Sequence, residues 1–208
     1  MASAYSRAIF MTQAKPRFAT FEEYLFYSDD LEGRFQLING ELIELPPESP
    51  ENDFFANYLM VAFLNAGIAP LQLIRSHTCE IQVPVLKSND AANRYPDLVV
   101  LRQEHLDLMG RRLTVTLDMP PPRLIVEIVS PGKTNRDRDY INKRSQYAAI
   151  GVPEYWLIDP RSQTVVVLDL QGNDYSEVGT FQGNDLIASR TFPELALTAE
   201  QIFQSSRS

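Results

Sequence analysis

Apolar and polar residues repeat with two different periods along this chain, and the switches between them mark out its elements. Thr20 opens TFEEYLFYSDD, and Glu23 three positions on completes a capping-box pattern, so a first helix is predicted up to the turn at Asp29-Asp30. Arg34 to Leu45, RFQLINGELIEL, alternates around Asn39-Gly40, the residue pair best suited to a two-residue turn, and Pro46-Pro47 ends this predicted β-hairpin. Ser49-Pro50 then starts a helix reaching Ala66, with Phe54, Phe55, Tyr58, Leu59, Ala62 and Phe63 as its apolar stripe and Gly67 at its stop. This is the expected core helix.

Three strands follow. Glu80 to Val85 alternates and reads as half-buried, with Glu80 and Gln82 on the polar side, while Asp97–Leu101 and Arg123–Val129 are apolar runs of buried-strand length. Between the last two, residues 102–122 read as an insertion with a single helical turn, closed by Pro120-Pro121-Pro122. Asn135 to Ile150 is helical by pattern, with Tyr140, Ile141, Tyr147 and Ala148 on an apolar stripe and Gly151 as its stop. Tyr155–Ile158 follows as a strand. Strand, helix and strand here make a βαβ unit with its two strands parallel, so the fold class is α/β with a mixed sheet. Gln-Gly-Asn-Asp recurs at 171–174 and 182–185, framing a predicted C-terminal β-meander of Val165–Leu168, Tyr175–Phe181 and Leu186–Arg190, and a short helix spans Thr198–Phe203.

Composition bounds the possibilities. With 44% hydrophobic and 10% aromatic residues, 208 residues can bury one substantial core, which excludes a disordered or fibrous chain. We expect an N-terminal extension over 1–19 and one domain over 20–208. The longest apolar run, Tyr58–Leu64, is far below the ~18–20 residues that span a bilayer, and no signal-peptide pattern opens the chain, so the expected location is cytoplasmic, without a membrane partner. Cys79 is alone and there are 2 histidines, too few for a four-ligand zinc site of cysteine and histidine.

Nineteen basic against 27 acidic residues give a net charge of -8, which argues against coating nucleic acid with the whole surface. The charge is segregated. Thr20 to Asp53 carries ten acidic side chains and one basic, Arg34, whereas Pro131 to Arg144 carries Lys133, Arg136, Arg138, Lys143 and Arg144 against Asp137 and Asp139. The second segment could face phosphates or be a solvated helix face.

Glu127 lies inside LIVEIV, a strand apolar on both sides, so its carboxylate must be protonated, salt-bridged or bound to a metal. Asp97 opens the strand DLVVL, thirty residues earlier, and adjacent strands would bring both acids to one hard cation such as magnesium. Lys143 lies sixteen residues beyond Glu127, with Asp139 and Tyr147 four positions to either side, so the three share a helix face. An ammonium there suits a phosphate oxygen or a surface pair with Asp139.

The stretch EIVSPGKTNRDRDYINKRSQYAAIGVPEYWLIDP, residues 127 to 160, resembles the PD-(D/E)XK restriction-endonuclease-like superfamily, within it the endonuclease branch once grouped as a domain of unknown function. Leu37-Ile38-Asn39-Gly40-Glu41, Pro96-Asp97 and Phe192-Pro193 fit the same order, and the resemblance spans Phe21 to Phe203. It implies a mixed-sheet core flanked by helices, DNA as substrate, and Mg²⁺, with Mn²⁺ as substitute, held by Asp97, Glu127 and the carbonyl of Ile128. By the same resemblance Lys143 replaces the lysine usual at position 129, which is Val129 here; Glu41 is either an additional acid or an exposed hairpin glutamate. Lys133, Arg136, Arg138 and Arg144 are expected to contact backbone phosphates, the acidic N-terminal segment to face away from DNA or meet a second copy in a homodimer. Gln36 and Asn52 stand where related sequences often carry glutamate and histidine, which motivates an alternative: a nuclease-fold nucleic-acid-binding or regulatory module without turnover. An acidic protein–protein adaptor is the third reading.

Overall fold

A computed structural model describes residues 16–27, 33–110, 112–130 and 138–204, with only the backbone at 138 and 139. Helix α1, Phe21–Tyr27, begins as its pattern requires: the Glu23 amide donates to Thr20 Oγ1 at 3.2 Å, and the Glu23 carboxylate accepts from the Ala19 amide at 2.7 Å. Strands β1 (Phe35–Ile38) and β2 (Glu41–Glu44) form the predicted hairpin, with φ of 52° at Asn39 and 78° at Gly40. Gly40 is required on two counts, because a Cβ there would also stand 2.6 Å from the Phe18 carbonyl oxygen. Helix α2, Pro50–Asn65, starts at the Ser49 cap, whose hydroxyl accepts from the Asn52 amide at 3.1 Å. Its buried stripe is Phe55, Leu59 and Phe63; the expected Phe54 instead stands 37% exposed on the helix flank.

A six-stranded sheet holds the core. Its strands are β3 (Ile74–Ser76), β6 (Leu98–Val100), β8 (Leu124–Ile128), β9 (Glu154–Asp159), β10 (Thr164–Gln171) and β11 (Asp174–Gln182), in spatial order β11, β10, β9, β8, β6, β3. Strands β8 and β9 are parallel and every other neighbouring pair is antiparallel, as the βαβ reading requires. The chain between them ends in a π-helical turn, Arg138–Lys143, running into helix α4, Arg144–Ala149. Gly151, at φ 80°, stops that helix: its amide bonds the Ala148 carbonyl and the Val152 amide reaches Tyr147, at 3.0 and 3.1 Å. Ile141, expected inside, is 50% exposed.

The two faces of the sheet are covered differently. Trp156 meets Phe63 of α2 edge-on at 5.8 Å, and Phe55 meets Phe203 of the C-terminal helix α5, Ala199–Gln204, at 5.8 Å. Tyr155, one residue along β9 and therefore on the opposite face, meets Tyr147 of α4. All of these rings are buried, and truncating Phe63 to alanine would cost about 3–5 kcal/mol.

Three expectations need correction. The insertion after β6 does contain one helical turn, α3 (His105–Leu108), but also a strand, β7 (Thr114–Val115), which pairs parallel to β4 (Glu80–Gln82) in a small sheet completed by β5 (Asn93–Arg94). Glu80 is not on a polar side: it is 1% exposed and takes hydrogen bonds from Tyr24, Asn93, Arg112 and Thr114. The meander stops at two strands, since Leu186 makes only an isolated bridge to Thr198.

Candidate functional site

The register of three neighbouring strands builds the site. Ser76 faces Leu98 across β3 and β6, and Leu98 faces Val126 across β6 and β8. One step further along each antiparallel pair, His77 comes opposite Asp97 and Asp97 opposite Glu127, and residues directly opposite share a face. The His77 amide bonds the Asp97 carbonyl at 3.1 Å, which extends the ladder by that one step. Three chemically active side chains therefore stand in one rank at the end of the sheet.

Glu127, 1% exposed, is gripped from the α4 side: Lys143 Nζ lies 2.6 Å from its Oε2 and the Tyr147 hydroxyl donates to its Oε1 at 2.7 Å. The four-residue spacing of Lys143 and Tyr147 brings both onto one carboxylate. Lys143 is itself 8% exposed, and removing either partner of such a buried pair costs about 3–5 kcal/mol because a charge is left uncompensated. The buried glutamate of the sequence is thus salt-bridged.

Asp97, next in rank, is held by the Ile128 amide, which donates to its Oδ2 at 2.6 Å. Its Oδ1 faces His77 Nδ1 at 3.4 Å; Glu48 Oε1 lies 3.9 Å from the same nitrogen, and Asp53 Oδ1 3.7 Å from His77 Nε2. One donor atom each from Glu48, His77 and Asp97 lie within 4.8 Å of one another, a spacing that a single cation can bridge. Burial lowers the His77 pKa, but its contact with Asp97 and the charges of Asp97 and Glu48 outweigh that, and the net direction is upward. Arg34 braces the corner, 2.8 Å from Glu48 and donating to the His77 carbonyl at 3.3 Å.

Glu48, Asp97, Ile128, Ser130 and Lys143, together with Gln36 and Asn52, line a cleft of about 250 Å³; Glu127 is not among its lining residues and stands behind Lys143, to which it is paired. Gln36 and Asn52 therefore both face the site, and Asn52 Nδ2 bonds Ser130 Oγ at 3.2 Å across it. Glu41 is not among the cleft residues; it pairs with Arg17 on the hairpin surface. Lys133 and Arg136 lie outside the described residues, and Arg138 opens the π-helical turn. Arg144 turns toward the β10–β11 hairpin, 3.3 Å from Asp174 and bonded to the Tyr175 carbonyl.

His77 and Glu48 went unnoticed in the sequence. His77 follows a three-residue strand too short to carry a period, and only its pairing with Asp97 gives it meaning. Glu48 belonged to the acidic segment expected to face away from substrate; the chain after β2 instead brings it to the cleft.

Four solved chains match this fold. Among them is the crystal structure of a putative nuclease belonging to DUF820 from Anabaena variabilis ATCC 29413, with a TM-score of 0.57 and 20% sequence identity over 88% of this chain and 96% of that one. No curated protein matches significantly. The α/β fold with its mixed sheet is therefore shared with that structure, and a family model described as "Putative restriction endonuclease" covers residues 19–200. With nearly the whole domain inside that match, the chain belongs to the Uma2 family.

Proposed function

We propose that this chain hydrolyses phosphodiester bonds in DNA with the help of a divalent cation. The observation that supports this most is the register that sets Asp97, at the cleft, opposite Glu127 on the next strand, with the cleft residue Lys143 drawn onto Glu127. The donor set suits a hard cation, since Asp97, Glu127 and the carbonyl of Ile128 would all offer it oxygen. When bound, such a cation supplies charge neutralisation at a phosphoryl oxygen and a water of lowered pKa.

The protein's own groups do the rest. The Ile128 amide fixes the Asp97 carboxylate, and Tyr147 and Lys143 together fix that of Glu127, so both acids are oriented before substrate arrives. Lys143 lines the cleft and brings positive charge to where negative charge grows on the phosphoryl oxygens. Attack of a water oxygen on phosphorus forms one P–O bond and breaks another. One water proton leaves to solvent and the departing alcohol oxygen gains one. Lys133, Arg136 and Arg138, which follow the cleft residue Ser130 in the sequence, are the candidates for contacts to backbone phosphates, whereas Arg144 is paired with Asp174.

Nicking of supercoiled plasmid DNA in Mg²⁺ or Mn²⁺ tests this reading. The wild type should convert plasmid to open-circle or linear form only with cation, and Glu127→Gln should not. Salt-sensitive DNA binding without any cleavage would instead favour the inactive binding module that Gln36 and Asn52 suggest.

A further inference from the structure

His77 is buried to 92%, and among the described residues neither ring nitrogen makes a hydrogen bond of good geometry; Asp97 Oδ1 stands 3.4 Å from Nδ1. A neutral imidazole normally donates from one nitrogen and accepts at the other, so a buried ring with both unmatched is an anomaly that calls for an occupant. The other histidine, His105, shows the ordinary solution: its Nδ1 accepts from the Arg102 amide at 2.9 Å and its Nε2 bonds the Pro120 carbonyl at 2.7 Å.

The groups around His77 say what the occupant is. Glu48 and Asp97 face Nδ1 and Asp53 faces Nε2, and Arg34 is paired with Glu48. Three carboxylates against one guanidinium leave two negative charges, which matches a dication. Ligand atoms about 2.0–2.2 Å from one ion stand roughly 3–4 Å apart, and Nδ1 lies 3.4 Å from Asp97 Oδ1 and 3.9 Å from Glu48 Oε1. Asp53 then takes the place of the carboxylate that commonly orients the far N–H of a metal-bound imidazole. The backbone keeps the ring there: His77 has φ 55°, and its own N–H and C=O are tied to the Asp97 carbonyl and to Arg34.

We propose that Glu48, His77 and Asp97 form a second cation position, sharing Asp97 with the Asp97–Glu127 position, that takes a first-row transition dication through an imidazole nitrogen. It deepens the cleavage reading and rests on that reading for its role, but its existence can be tested without turnover. A nitrogen ligand favours a transition ion over Mg²⁺, so this position gives the cleft a preference that carboxylates alone would not.

The test uses Mn²⁺ as its probe. In the full-length protein, electron spin-echo envelope modulation of bound Mn²⁺ should show ¹⁴N coupling from one imidazole. His77→Asn should abolish that coupling and weaken Mn²⁺ binding about tenfold or more, while Mg²⁺ affinity moves less than about twofold; asparagine tolerates the positive φ of this position. Glu48→Gln should weaken Mn²⁺ likewise and keep the coupling of any ion still bound. Wild-type Mn²⁺ without ¹⁴N coupling, or equal Mn²⁺ affinity in wild type and His77→Asn, overturns the site. Coupling without DNA cleavage would remove the nuclease reading and leave the site; cleavage without coupling would do the reverse.

Discussion

Glu127 and Glu154 lie on adjacent strands of the same sheet, both 1% exposed or less, yet they are solved in opposite ways. Glu154 is closed off: Oε1 takes the Trp156 indole N–H and the Ser189 hydroxyl, Oε2 the amides of Arg190 and Thr191, all within 2.9 Å. Every donor is neutral and none lines the cleft, so this carboxylate is a staple holding the C-terminal loop to the sheet. Glu127 is held by a lysine that itself lines the cleft, opposite an aspartate that faces a histidine whose ring finds no hydrogen bond among the described residues. A buried carboxylate is therefore no mark of a site in itself. What marks one is charge and unmet hydrogen-bonding capacity arranged around an opening.

The sharpest break in that comparison is functional. Glu127→Gln should lower cation-dependent DNA cleavage about a thousandfold per folded molecule, whereas Glu154→Gln should leave turnover per folded molecule intact. Equal losses in plasmid assays of the two variants would erase the distinction. Stability should not separate the two: Glu154→Ala strands a buried indole N–H and two amides and should cost about 3–5 kcal/mol, comparable to breaking the Glu127–Lys143 pair, read as a lowered urea midpoint with unchanged m-value. A smaller effect is expected at the cleft wall, where Gln36→Glu adds a carboxylate beside the acids and should tighten Mn²⁺ binding roughly tenfold by calorimetry; no change would mean that Gln36 stands too far off to matter.

The smallest effect is a pH dependence carried by His105. Burial pushes its pKa down, and its Nδ1 can accept from the Arg102 amide only while unprotonated. The unfolded chain takes up this proton near pH 6.5, before the folded one does, so the His105 contribution is present above that pH and is lost as pH falls toward the lower folded-state value. His77, shifted upward, acts with the opposite sign. Thermal midpoints of wild type and His105→Gln should therefore converge as pH falls from 7.5 to 5; parallel curves would contradict the assignment.

Elements whose signals are local were legible from the chain. Asn39-Gly40 encodes its own positive φ values, Ser49-Pro50 its own helix start, and Gly151 its own stop, and the apolar runs of β8 and β9 around one helix compel a parallel pair. Glu127 stands out in the sequence because a charge inside an apolar run is visible without a partner, whereas Asp97 and Lys143 were picked out by their placement and the family resemblance. Glu80 was not, since its alternating neighbours look half-exposed and its partners arrive from Tyr24, Asn93, Arg112 and Thr114 on other elements. The same limit hid His77 and Glu48. A residue whose meaning comes from strand register or a loop crossing has no signature in its own neighbourhood.

The central claim is that Asp97 belongs to a cation site at the end of this sheet. Calorimetric titration of Mg²⁺ and Mn²⁺ into the wild type and Asp97→Asn tests it without requiring the true substrate, and asparagine keeps an oxygen for the Ile128 amide. Saturable binding in the wild type that disappears in the variant, at unchanged circular dichroism, is the expected result; equal binding in both proteins, or none in either, would contradict the account.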